Sequence, residues 1–139
     1  MNLNTVFEYE LLIREFHLDV YGHVNNAVYV QLYEEARWDF ITKNGFGLDY
    51  IRAHNVGPVI LDLKVRFKRE LKNRERILIK SRTLDIVNSK IMVLEQWIEK
   101  EDGKVASDAT FTVGFFDMKL RKLINASPEW LNAVGVLPK

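Results

Sequence analysis

Residues 16 to 40 read FHLDVYGHVNNAVYVQLYEEARWDF, and the stretch divides into two parts of different character. From His17 to Asn26 it is polar, contains Gly22 and shows no apolar period. Beyond that, Tyr29, Tyr33, Ala36 and Phe40 recur at spacings of four, three and four, with Gln31, Glu34, Glu35 and Asp39 between them. This period predicts an amphipathic helix of about four turns. Asn25 or Asn26 suits its N-cap, since an Asn side chain accepts an amide that the first turn leaves unpaired, and Asn44-Gly45 supplies a left-handed stop.

Working outward, Val6 to Arg14 alternates, with Phe7, Tyr9, Leu11 and Ile13 opposed to Glu8, Glu10 and Arg14, the period of a half-buried strand. After the long helix, a shorter helical segment is expected from Leu48 to His54, closed by Gly57-Pro58, with His54 as a C-terminal cap or surface residue. The period then changes to two. Val59, Leu61, Leu63, Val65 and Phe67 form one apolar face, and further strands are expected over Arg76 to Asp85, Lys90 to Glu99 and Val105 to Asp117. Turns at Asn88-Ser89 and Asp102-Gly103 are short enough to require antiparallel neighbours. The order of elements gives an α+β class, a single domain over 1-139 in which an antiparallel sheet carries one long helix on a face. The strand Lys90 to Glu99 is apolar on both sides, Ile91, Val93 and Trp97 on one and Met92, Leu94 and Ile98 on the other. One helix covers one face, so a second subunit or the C-terminal segment Pro128 to Leu137 is expected to cover the other.

With 139 residues, 47% of them hydrophobic, and no cysteine, the chain can bury a core without covalent staples. The lack of thiols removes cysteine nucleophiles, disulfide redox chemistry and thiolate zinc sites. The start of the chain is neither basic nor apolar, and no window reaches the roughly 18 apolar residues of a membrane span, so a cytoplasmic protein is expected. The formal net charge of +1 is unevenly spread: Lys64 to Lys90 holds ten basic residues against three acids, or +7, which leaves −6 elsewhere. Such a segment marks either an anionic ligand or a solvated strand face.

The loop from His17 to Asn26 gathers two of the three histidines, a carboxylate, a phenol and two amides, and leads into a helix N-terminus. Unpaired amides and the positive end of the helix dipole favour developing negative charge there. A carboxylate beside such an end suffices for acyl transfer. Two other readings of these residues stand beside it: Asp19 bonding local backbone with Asn25 and Asn26 as caps and His23 as a buried histidine, or a metal site from His17, Asp19 and His23. No nucleophile elbow, phosphate-cradling glycine loop or dinucleotide fingerprint occurs.

Taken together, HLDVY, HVNNA and EEARWD within residues 17 to 39 resemble the signature of hotdog-fold acyl-CoA thioesterases of the 4-hydroxybenzoyl-CoA thioesterase superfamily, and within it the bacterial group acting on long-chain fatty acyl-CoA. The resemblance implies a curved antiparallel sheet wrapped around one long central helix, and homo-oligomers, dimers joined edge to edge or tetramers built from them. It implies a catalytic carboxylate three residues before the loop glycine, here Asp19, and a thioester-polarising amide seven residues after it, here Asn26. A histidine used by related plant acyl-carrier-protein thioesterases corresponds to His23. Position 17 is His where many members carry a first acid of an acid pair.

The expected activity is hydrolysis of a fatty acyl-CoA, with Asp19 as nucleophile or general base and the carbonyl oxygen on the Asn26 N–H. His23 and Asn25 orient the loop, and Tyr21 and His17 are further candidates. Arg69 and Lys90 are candidates for the phosphates of coenzyme A. No cofactor, metal, nucleic-acid or membrane partner is expected. A non-catalytic acyl-CoA-binding protein on the same fold and a nucleic-acid module using the +7 segment are the competing readings.

Overall fold

The computed structural model describes residues 1 to 138. Its elements are β1 (Phe7–Leu12), a 3-10 turn (Glu15–His17), α1 (Asn26–Lys43), α2 (Leu48–His54), β2 (Val56–Phe67), β3 (Arg76–Ile86), β4 (Ile91–Lys100), β5 (Val105–Asp117), β6 (Lys122–Leu123) and α3 (Pro128–Ala133). The strands form one antiparallel sheet in the order β1-β3-β4-β5-β2, with β6 pairing β5. The sheet curls around α1, the hotdog arrangement that the resemblance implies. Asn25 is the N-cap of α1, its side chain accepting the Ala27 amide, and the chain leaves the helix through Gly45 at φ 86°.

The inner side of α1 buries Tyr29, Leu32, Tyr33, Ala36, Phe40 and Ile41 against Ile79, Leu94, Phe111 and Val113 of the sheet. Within this apolar layer lies a connected polar set. Tyr33 Oη donates to Ser107 Oγ at 2.7 Å, and Gln96 Nε2 donates to the Tyr33 carbonyl at 3.0 Å and to Ser81 Oγ at 2.9 Å. Among the described residues no buried side-chain polar atom lacks a partner, so this set does not incur the penalty of an unsatisfied core group.

Three expectations change. The short helix ends at Asn55, which takes the left-handed conformation (φ 57°), whereas Gly57 and Pro58 already belong to β2. Along β2 the register shifts between Ile60 and Asp62. This bulge at Leu61 replaces the expected face with Pro58, Ile60, Leu63, Val65 and Phe67, whose partners Phe115, Val113, Phe111, Ala109 and Ser107 are all buried on the inner side. That face is not closed over, because β2 is an edge strand beyond the helix: Ile60, Leu63 and Phe67 remain 41, 46 and 53% exposed.

The third change concerns the outer face. The C-terminal segment joins the helix side, where Trp130 packs on Phe46 and Phe115, Thr83 Oγ1 donates to the Val134 carbonyl and Asn44 Nδ2 to the Ala133 carbonyl. The outer face is laced by cross-strand ion pairs instead. Arg66 and Lys68 both meet Asp108 at 2.7 Å, Arg82 meets Glu95 at 2.9 Å, and Lys80 lies between Glu99 and Glu8 at 3.2 and 3.8 Å. Trp97 sits among them, donating to Glu99 at 2.9 Å beneath the Arg82 guanidinium. The hydrogen bond from Arg66 holds the Asp108 carboxyl below its ordinary range, and that from Trp97 does the same for Glu99. Much of the +7 segment is therefore paired within the sheet, whereas β2 remains an open edge.

Candidate active site

The loop between β1 and α1 is built from hydrogen bonds to its own backbone. His17 is buried, its Nδ1 accepting the Arg14 amide at 2.9 Å and its carbonyl accepting the Asn25 amide at 3.0 Å. Burial lowers its pKa, and an accepting Nδ1 means a neutral ring with the proton on Nε2. Asp19 organises the next turn. Its amide donates to the His23 carbonyl at 2.8 Å, and its Oδ1 accepts the amides of Tyr21 at 2.8 Å and His23 at 3.4 Å. Gly22, at φ 79°, supplies the left-handed backbone that closes this turn, a conformation costly for any residue with a Cβ. Bridges Leu18 to Val24 and His23 to Lys72 then fasten the loop to itself and to the β2–β3 connection.

Asp19, His23 and Asn26 line one open groove of about 580 Å³, together with Tyr29, Phe67 and Arg69. Asp19 Oδ2 takes no hydrogen bond among the described residues, and neither does the Asn26 N–H, which stands at the first position of α1. That amide is one of the four a helix leaves unpaired, and it lies where the helix dipole is positive. His23 Nε2 faces Glu70 at 3.1 Å. The groove thus presents a carboxylate oxygen, an imidazole and a free amide donor to one volume, which is the set needed to attack a carbonyl and hold the oxyanion that forms.

The other candidates are placed differently. Asn25 holds the Ala27 amide at 3.1 Å as the cap. Tyr21 is 81% exposed at the loop tip, outside the groove. Arg69 lines the groove and its amide bonds the Ala106 carbonyl, while the Lys90 carbonyl accepts the Phe115 amide. Those anchor points span roughly 30 Å of β5, so Arg69 and Lys90 occupy opposite ends of the sheet in one chain. His17, Asp19 and His23 do not converge: among the described residues no group of three or more such side chains is placed to hold a metal ion. Tyr29, Phe67 and Glu70 line the groove without having been expected there. Phe67 ends the period-two row and packs edge-on against Tyr29, with ring centroids 5.0 Å apart.

The model of the thioesterase-like superfamily matches residues 14–134. The chain is 35% identical over 121 residues to the long-chain acyl-CoA thioesterase FadM of Escherichia coli (strain K12), a match covering 86% of this chain and 90% of that protein. Among solved structures it superposes with a TM-score of 0.80 on the probable thioesterase YbaW from Escherichia coli, at 32% identity over 96% of this chain and 99% of the other. The fold alone is shared with SAV2348 from Staphylococcus aureus, solved in complex with CoA: TM-score 0.87 at 16% identity, over 96% of this chain and 84% of that one.

Proposed function

The chain belongs to the thioesterase-like superfamily and is a thioester hydrolase; on that premise we propose that it hydrolyses long-chain fatty acyl-CoA, with Asp19 as the acting carboxylate. The observation that carries the assignment of residues is the convergence of Asp19, His23 and the free Asn26 amide on one groove. The long-chain preference is supported by the similarity to FadM and by the open apolar inner row of β2 that continues from this groove.

In the reaction, the Asn26 N–H binds the thioester oxygen and polarises the carbonyl. Two routes start from this pose. With Asp19 as general base, it takes a proton from water, the water oxygen adds to the carbonyl carbon, and collapse of the oxyanion expels the coenzyme A thiolate, which recovers the proton from Asp19. With Asp19 as nucleophile, its free oxygen displaces the thiolate to give a mixed anhydride that water then cleaves. Either route consumes one water, yields a fatty acid and coenzyme A, and uses no cofactor or metal. A thiolate is a good leaving group, so no further acid is required to complete the step. His23 fixes the turn, and Arg69 at the groove wall meets a phosphate of coenzyme A. We place the protein in the cytoplasm as a homo-oligomer, a dimer or tetramer of dimers, joined through the unpaired β2 edge.

Release of free thiol from palmitoyl-CoA tests the reading. Wild-type protein should turn over, and Asp19→Asn should lose about 10²- to 10⁴-fold in kcat. Undiminished turnover by Asp19→Asn would overturn the assignment of the carboxylate. Single turnover in labelled water identifies the anhydride route where label enters Asp19, which requires water to attack the Asp19 carbonyl of the anhydride; the general-base route leaves all of the label in the fatty acid.

A further inference from the structure

The turn between β5 and β6 reads Met118-Lys119-Leu120-Arg121-Lys122, consecutive exposed residues with two apolar and three basic side chains. Its backbone is held from within. Asp117 Oδ1 accepts the Lys119 and Leu120 amides at 2.9 Å each, and the Arg121 amide donates to the Asp117 carbonyl at 2.8 Å. Arg121 takes a left-handed backbone (φ 58°), uncommon for a residue with a Cβ, and its guanidinium stands 5.3 Å from the Phe116 ring centroid. At the base of the turn the Met118 amide donates to the Asn55 carbonyl at 2.9 Å. Leu123 lies over Gly114, where a Cβ would stand only 2.6 Å from it.

The cations of this turn differ from those of the outer face. Arg66, Lys68, Lys80 and Arg82 are paired with carboxylates across the strands, whereas Lys119, Arg121 and Lys122 have no carboxylate within ion-pair distance among the described residues. From Asp117 to Lys122 three basic residues stand against one acid, or +2, and that acid turns an oxygen to the backbone amides of the turn. Leu120 is 61% and Met118 40% exposed among these charges. A protruding turn of this size is far smaller than the roughly 20 residues a side of a stable protein interface. A polyanion in water would satisfy the cations and leave the two apolar side chains bare. An anionic bilayer satisfies both, because its headgroups carry phosphate and its acyl boundary lies just beneath them.

We propose that the Met118 to Lys122 turn is a peripheral contact for an anionic lipid bilayer, with Leu120 entering the acyl boundary and Lys119, Arg121 and Lys122 lying on the lipid phosphates. Such a contact needs no spanning segment, and no described helix is long and apolar enough to cross a membrane. It rests on the turn alone and goes beyond the hydrolase reading.

The intact chain should be sedimented with sucrose-loaded vesicles of two parts phosphatidylcholine to one part phosphatidylglycerol, and with vesicles of phosphatidylcholine only. Wild type should partition onto the first and stay in solution with the second, and added salt should release it. Each Lys or Arg near an anionic surface is worth about fivefold in partition, so Lys119→Gln/Arg121→Gln/Lys122→Gln should lose about a hundredfold. Leu120→Ser should lose about tenfold with the charges intact. Arg66→Gln, a cation already paired within the sheet, should partition as wild type does. Melting curves confirm that each variant is folded, and the single Leu120→Ser decides should the triple variant not fold. Equal partition onto both vesicles, none onto either, or unchanged partition in the turn variants overturns the proposal. A raised KM for octanoyl-CoA in the triple variant with its vesicle partition unmoved also overturns it and assigns the cations to the phosphates of coenzyme A. The vesicle measurement uses no turnover, so it decides even where no acyl-CoA is hydrolysed.

Discussion

Asp19 accepts the Tyr21 amide at 2.8 Å through one carboxylate oxygen, so the group assigned to the thioester also holds closed the turn that carries it. The two roles separate by substitution. Asp19→Asn keeps an accepting oxygen for the turn and loses the charge; Asp19→Ala loses both. Both variants should lose about 10²- to 10⁴-fold in kcat, and urea denaturation should show Asp19→Ala less stable than Asp19→Asn by about 1 kcal/mol. Equal stabilities would show that the turn does not depend on the side chain.

The Asn26 amide is testable through the backbone. Proline is tolerated at the first helical position, and Asn25 already has the extended conformation (φ −61°, ψ 139°) that a following proline demands. Asn26→Pro therefore removes one N–H with the helix retained. Its kcat should fall by about 10²- to 10³-fold, as for loss of an oxyanion donor, with the circular dichroism spectrum unchanged. The loss should exceed that of Asn26→Ala, which keeps the amide, by about tenfold or more.

His17 gives the fold a pH dependence of defined sign. Its pKa is lowered in the folded state from an ordinary value of 6.5, so below that pH the unfolded chain binds a proton that the folded chain resists. The stability is complete above 6.5 and declines as pH falls below it. Asp108 and Glu99, also depressed, lose their contributions only as pH falls below their ordinary values of 3.8 and 4.5. Melting temperature should therefore begin to decline just below pH 6.5 in wild type and remain flat there in His17→Asn, whose Oδ1 accepts the Arg14 amide in place of Nδ1.

Buried and exposed polar contacts should differ in cost. Tyr33→Phe leaves the Ser107 hydroxyl buried without its donor, which should cost about 1–2 kcal/mol by denaturant titration. Asp108→Ala frees two basic side chains that water reaches easily, and should cost less than about 1 kcal/mol. Salt should shrink the second effect and leave the first.

Periodicity made α1, the order of the strands and the Asp102-Gly103 turn legible, because each depends on residues close in sequence. The loop composition pointed to the groove for the same reason, since Asp19, His23 and Asn26 are local neighbours. What sequence concealed arises from contacts between distant elements. Leu61 fits a period-two row as well as its neighbours do, and only its pairing with β5 shows that it bulges. Arg37 reads as a surface helix residue until Gln96 and Phe111, from two other strands, enclose it. The choice between an anionic-ligand site and a solvated strand face stayed open for the basic segment because its acids, Asp108, Glu95 and Glu99, lie on strands further along the chain. His17 looked available for chemistry because nothing local predicts its burial.

The bonds at Tyr33 also have a mechanical meaning. Its hydroxyl is tied to β5 and its carbonyl to Gln96 on β4, so α1 is bolted to the sheet seven residues from Asn26. Sliding or rolling the helix would break both bolts at once. The amide at the helix tip is thus carried on a fixed shaft. Heat should then leave the catalyst no intermediate stage of slackening: the shaft stays seated until the sheet itself gives way.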